Sequence, residues 1–142
     1  MPRFAFRLCL FILLIFACGT TLAPRAHADA ASEIQSVISD QLKAFNEDDT
    51  QRAYGHAADI IKQIFPSSQI FMEMVKTGYP PVYRAKSWSF VDPTPLENGY
   101  SQIVRLIDEQ DRPWNALYTL ERDSTGEWKI TGCRLLKSEG MV

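Results

Sequence analysis

MVKTGYPPVYRAKSW, residues 74–88, decides the fold class, because the apolar spacing of a helix gives way there to that of a strand. Ahead of it Ile70, Phe71, Met74 and Val75 recur at three and four, and Ser67 or Ser68 supplies the N-cap of that helix. Gly78 stops it, and Pro80 and Pro81 stiffen the crossing that follows. Working back, Ile60, Ile61, Ile64 and Phe65 form a short apolar piece closed by Pro66. Ala53, Tyr54, Ala57 and Ala58 mark a second helix that the polar run 46–50 introduces, with Asp48 and Asp49 as its capping acids. Ile34, Val37, Ile38, Leu42 and Phe45 make residues 32–46 an amphipathic first helix.

Working forward, four extended stretches follow: 85–91, 100–107, 114–122 and 128–136, separated by Pro- or Gly-containing clusters at 92–99, 109–113 and 123–126. Helices first and strands after predict an α+β domain of N-terminal helices on a four-stranded antiparallel sheet. Ser124-Thr125-Gly126 suits a three-residue hairpin loop with glycine in the left-handed position. Counting back from it pairs Arg122 with Trp128, Leu120 with Ile130, Tyr118 with Gly132, Ala116 with Arg134 and Trp114 with Leu136 on the face the helices cover. Leu117, Cys133 and Leu135 then point outward, more apolar surface than an open sheet face carries, so a homodimer through that face is expected.

The first 28 residues read as a secretory signal peptide: Arg3 and Arg7, an apolar run over 8–18, then Ala26-His27-Ala28 with the cut before Asp29. The apolar run is too short to cross a bilayer, which takes about 20 residues. Cys18 offers a lipid-attachment alternative, with the bulky Phe16 against it. The expected product is an exported, periplasmic or secreted domain, residues 29–142, with no membrane attachment after cleavage. Losing Arg3, Arg7 and Arg25 leaves 12 of 15 basic residues against 17 acidic ones, a net charge of −5, which argues against a nucleic-acid partner. The leader also takes Cys9, Cys18 and His27, leaving Cys133 and His56. Neither an internal disulfide nor a Cys/His zinc site can form from one of each, and no cofactor or metal is expected.

Three stretches, QLKAFNEDDTQRAYGHAA, FMEMVKTGYPPVYRAKSWSF and DRPWNALYTLERDSTGEWKITGCRLL, together resemble the domain of unknown function 4864 family of exported bacterial proteins. The first is a pattern shared loosely across the nuclear-transport-factor-two-like, or cystatin-like, superfamily. The resemblance implies helices packed on a curved sheet to make a cone, with the Tyr-Pro-Pro crossing at its open end. It implies no single activity, since that superfamily holds isomerases and dehydratases beside members without catalysis.

His56 and Asp59, three apart on a helix, are the one pairing that suggests an acid–base couple. Cys133 reads as a small buried hydrophobe, because nothing near it in sequence activates a thiol. Arg134 on the aromatic face either reaches solvent past the sheet or supplies the positive group of a pocket. Arg84 pairs with an acid in a rigid joint, or joins Tyr79, Tyr83, Trp114 and Tyr118 in walling that pocket. The expected function is non-catalytic binding of a small apolar or aromatic ligand between helices and sheet, because the predicted inner face carries no carboxylate to act as base. The alternatives are an isomerase or dehydratase of the same fold and an interaction module with no pocket.

Overall fold

The computed structural model of the chain describes residues 23–137. Arg3, Arg7, the apolar run and Cys18 of the leader, and the last five positions of the expected domain, lie outside the described residues. Five helices, α1 (Ala23–Asn46), α2 (Thr50–Gly55), α3 (Asp59–Ile64), α4 (Ser68–Gly78) and α5 (Pro80–Tyr83), precede five strands. These are β1 (Ser87–Phe90), β2 (Thr94–Leu96), β3 (Gly99–Ile107), β4 (Pro113–Arg122) and β5 (Trp128–Lys137). The sheet is antiparallel and open, in the order β1-β3-β4-β5, with β2 pairing on the other half of β3.

The α1 stripe is buried as its spacing requires, with Ile34, Ile38, Leu42 and Phe45 packed in one core with Val104, Leu106, Ala116, Tyr118, Leu120 and Ile130 of the sheet. Each of the larger side chains removed from water contributes about 1.5–3 kcal/mol. The helix begins nine residues before the expected start. Its extension is Ala-rich, and a proline at the second position of a helix breaks no hydrogen bond. Caps fall where the polar residues stand: the Asp49 carboxylate accepts from the Arg52 amide at 3.1 Å and the Ser67 hydroxyl from the Ile70 amide at 3.2 Å.

The Tyr-Pro-Pro crossing is a turn of helix rather than an extended joint. Pro80 and Pro81 occupy its first two positions, where a missing N–H leaves nothing unpaired. Around it Arg84 donates to the Asp48 carboxylate at 2.7 Å and the Tyr83 hydroxyl at 2.8 Å, and to the Phe45 carbonyl. Tyr83 in turn donates to Asp48, and the guanidinium lies 3.9 Å from the centre of the Tyr83 ring. Asp48 holds a left-handed φ of 56°, and Asn46 donates to the Ala85 carbonyl at 2.9 Å. This clamp fastens the end of α1 to the start of the sheet.

Two departures in the sheet have local causes. The first expected strand, 85–91, is β1, and the stretch 92–99, expected only to separate strands, supplies the short β2, so the sheet has five strands rather than four. Pro95 is tolerated in β2 because that strand lies at an edge, where no donor is required. The β4–β5 ladder follows the predicted pairing from Arg122–Trp128 to Leu120–Ile130 and then slips by one, so that Thr119 faces Gly132, Tyr118 faces Cys133, Leu117 faces Arg134 and Ala116 faces Leu135. Thr131 is the extra residue of a bulge, and everything beyond it changes face. Cys133 and Leu135 therefore turn inward, while Arg134 turns outward and is exposed. The outer face keeps Leu117 and gains Leu136, beside Ile103 but among Ser101, Arg105, Asn115, Thr119 and Arg134. The apolar ground for a homodimer through it is correspondingly reduced.

Candidate functional site

A half-enclosed cavity of about 190 Å³ lies between the helices and the sheet. Gln41 and Phe45 of α1 form one wall, and Phe71, Met74 and Val75 of α4 with Tyr79 and Val82 form a second. Ala57, Ile61 and Phe65, from α3 and its flanks, form a third, and Tyr118, Ile130, Gly132 and Cys133 of the sheet form the floor. Phe71 centres the aromatic wall, with ring centroids 6.1 Å from Phe45, 5.5 Å from Tyr54 and 6.4 Å from Phe65. The Tyr54 hydroxyl donates to the Phe65 carbonyl at 2.6 Å and so holds the end of α3. None of the α3 residues is buried, and Ile60 and Ile64 are 51% and 61% exposed, although Ile61 and Phe65 pack against the core and the Ala58 amide donates to the Ile130 carbonyl at 2.8 Å.

The lining contains no Asp, Glu, His, Lys or Arg. The bulge sets the floor: in an unbroken ladder Gly132 would face Tyr118 and Arg134 would face Ala116 on the inner side, whereas the slip puts the Cys133 thiol beside Tyr118. Burial pushes the Cys133 thiol up to about 12, with the Tyr118 hydroxyl acting weakly in the opposite sense, so the thiol stays protonated at neutral pH. Burial raises the Tyr118 phenol well above its usual range, and the neighbouring Cys133 adds to the rise. Tyr118 is 1% exposed, and among the described residues its hydroxyl is the buried side-chain polar atom with no well-formed hydrogen bond, its polar neighbour being the weakly interacting Cys133 thiol. Gln41, also buried, spends its amide N–H on the Ala53 carbonyl at 3.1 Å.

Of the residues singled out from sequence, the cavity brings together Tyr79 and Tyr118 and leaves out the other four. Tyr83 and Arg84 form the clamp with Asp48, which is the structural role open to Arg84 from the start. Trp114 is turned to the end of the sheet, where its indole donates to Asp108 at 2.9 Å. Asp108 also accepts from the Gln110 and Arg112 amides, each at 2.9 Å, and from the Arg112 guanidinium at 2.8 Å. Burial opposes ionisation of Asp108, but these bonds outweigh it and bring its carboxyl down to about 2. Arg134 lies on the far side of the sheet. His56 pairs with Asp40 at 2.6 Å rather than with Asp59, and Arg52 donates to the same carboxylate, which drops well below its usual range, chiefly through Arg52. Among the described residues no three His, Cys, Asp or Glu side chains gather as a metal site.

Among the cavity residues that sequence reasoning left out of the pocket are Phe45, Phe65, Phe71, Met74 and Val75, which are indistinguishable by pattern from ordinary core, and Cys133. Gly132 in mid-strand was the available signal for the last, since an isolated strand glycine marks bulges.

No curated protein and no solved structure matches the chain. The family described as Domain of unknown function (DUF4864) matches residues 27–142, from the His27 that packs 5.7 Å from Tyr100 through the whole helical layer and sheet, and the chain belongs to that family.

Proposed function

We propose that the domain binds a small, uncharged, largely apolar molecule in the cavity between its helices and its sheet. The observation that carries this is the lining itself: about 190 Å³ walled by aromatic and aliphatic side chains, with three polar side chains besides Tyr79 and no ionisable acid or base among them but phenol and thiol. A wholly apolar cavity of about 150 Å³ already takes up benzene. This one therefore suits a benzene ring with one small substituent. A carboxylate or ammonium group would be buried there without a counter-charge, at a cost of several kcal/mol. The isomerase or dehydratase alternative needs a base within reach of the substrate, and no lining residue supplies a carboxylate or imidazole. The cavity is only half-enclosed, and α3, which buries none of its residues, is the wall whose displacement this reading uses to widen the entry.

The test is thermal melting of the full chain with toluene and with benzoate. At tenfold the dissociation constant, toluene is expected to add about 1.4 kcal/mol, a rise in Tm of about 5 °C. Benzoate at the same concentration is expected to leave Tm unchanged. Equal shifts by both, or by neither, would count against the proposal.

We also propose that the domain works after export, on the strength of the Arg3/Arg7 flank, the apolar run and the Ala26-His27-Ala28 triplet. A cut before Asp29 falls inside α1 and removes the His27–Tyr100 contact, while it places the Asp29 carboxylate at the positive end of the shortened helix. The intact mass of the secreted chain is expected to begin at Asp29. A mass retaining Cys18 with lipid, or the uncut chain, would refute that.

A further inference from the structure

We infer that the molecule held in the cavity carries one neutral hydrogen-bond donor, an O–H or N–H of the phenol or aniline class, and that the side-chain carbonyl of Gln41 accepts it. This rests on the cavity being a ligand site and names the chemistry of what enters it.

The ground is the place of Gln41 and the half of its amide that is left over. Residue 41 falls in the buried stripe of α1, among Ile38, Leu42 and Phe45, and is itself 3% exposed. An aliphatic side chain would serve packing better there, because a buried amide must recover in hydrogen bonds what it loses in water. Gln41 recovers part of it. Its Nε2 donates to the Ala53 carbonyl at 3.1 Å and ties α1 to α2. A backbone carbonyl only accepts, which fixes that end of the amide as nitrogen and the other as Oε1. Among the described residues no donor reaches that oxygen.

Oε1 is open rather than sealed. Among the described residues the sealed side-chain polar atom without a well-formed hydrogen bond is the Tyr118 hydroxyl; the Gln41 oxygen, also without a donor, is not sealed and keeps a small accessible surface. The side chain lines the cavity and is otherwise enclosed, which makes that surface part of the cavity. A lone water is a poor occupant of it, because a buried water needs two to four polar partners and these walls are chiefly hydrocarbon. The group that meets Oε1 is a donor, since a carbonyl oxygen has no proton to give. It is neutral rather than an ammonium, because the lining holds no carboxylate to meet a buried positive charge. A ring bearing one hydroxyl or amino group satisfies both conditions and leaves the rest of its surface to the aromatic and aliphatic walls.

Phenol and toluene test this, since they share a ring and differ in a hydroxyl for a methyl of similar size. Dissociation constants are measured for both on the full chain and on Gln41→Met, which keeps the length of the side chain without its oxygen. Water favours phenol in solution, so the reading is the ratio of the two affinities in each protein, in which that difference cancels. The phenol-to-toluene affinity ratio is expected to be about 3- to 10-fold higher in the natural chain than in Gln41→Met. An unchanged ratio with both ligands bound would overturn the inference and leave the apolar-ligand reading standing. Failure of both ligands to bind the natural chain would overturn the two together. The side-chain carbonyl carbon of Gln41 gives a reading that does not depend on the variant: in the natural chain its resonance is expected at lower field with phenol bound than with toluene bound, and equal positions would contradict the hydrogen bond.

Discussion

Gly99→Ala is expected to lower the unfolding free energy by about 3 kcal/mol, the upper part of the range for overfilled sites. A Cβ on Gly99 would stand 2.0 Å from the Leu120 carbonyl oxygen and 3.1 Å from the Glu121 side chain. The first of these is backbone of the neighbouring strand, so no rotamer change relieves it. β3 would have to part from β4 where Gly99 faces Glu121, and Leu120 at that point is fully buried in the core. Gly78→Ala is the matched control, because nothing lies within 4 Å of its added carbon at the end of α4. It is expected to gain up to about 1 kcal/mol from helix propensity. Urea midpoints for the two variants check both signs, and a loss below about 1 kcal/mol for Gly99→Ala would mean that the β3–β4 approach is looser than described.

Tyr118→Phe is expected to raise stability by about 1–2 kcal/mol in the absence of ligand, contrary to the usual effect of trimming a core tyrosine. The substitution deletes a fully buried hydroxyl whose polar neighbour is only the weakly interacting Cys133 thiol, so folding no longer strips that group of water for little return. The ring and its packing remain. A destabilised variant would show that the Cys133 thiol satisfies the hydroxyl in the folded protein.

The helical half of the molecule was legible because its signals are local: an apolar stripe from Ile34 to Phe45, a capping acid at Asp49 and a capping serine at Ser67. The start of α1 was not, since alanine-rich sequence around residues 26–31 serves a leader and a helix equally well. The α5 turn was missed for a related reason: Pro-Pro reads as extended chain unless the prolines fall at the first turn of a helix, as Pro80 and Pro81 do. In the last hairpin the loop set the register correctly as far as Leu120 and Ile130, and Gly126 takes its left-handed φ of 88°. Loop geometry says nothing of what happens four residues further on. The bulge at Thr131 inverted the assignments of Cys133 and Arg134, and with them the chemistry of the cavity floor. Tyr79 and Tyr118 were identified because one sits at the helix-to-sheet break and the other lies in β4, whose own alternation the extra residue in β5 leaves intact. Phe45, Phe65, Phe71 and Met74 come from three separate segments of the chain, and only packing shows that a space is left between them.

The most direct test of the central claim is a titration of the full chain with toluene, followed through the side-chain methyl resonances of Ile, Val and Met. Saturable shifts are expected at Ile61, Met74, Val75, Val82 and Ile130, which line the cavity, with Ile103 and Ile107 on the outer face unmoved. No saturable shift at the five lining residues, or shifts concentrated at Ile103 and Ile107, would contradict a ligand site between helices and sheet.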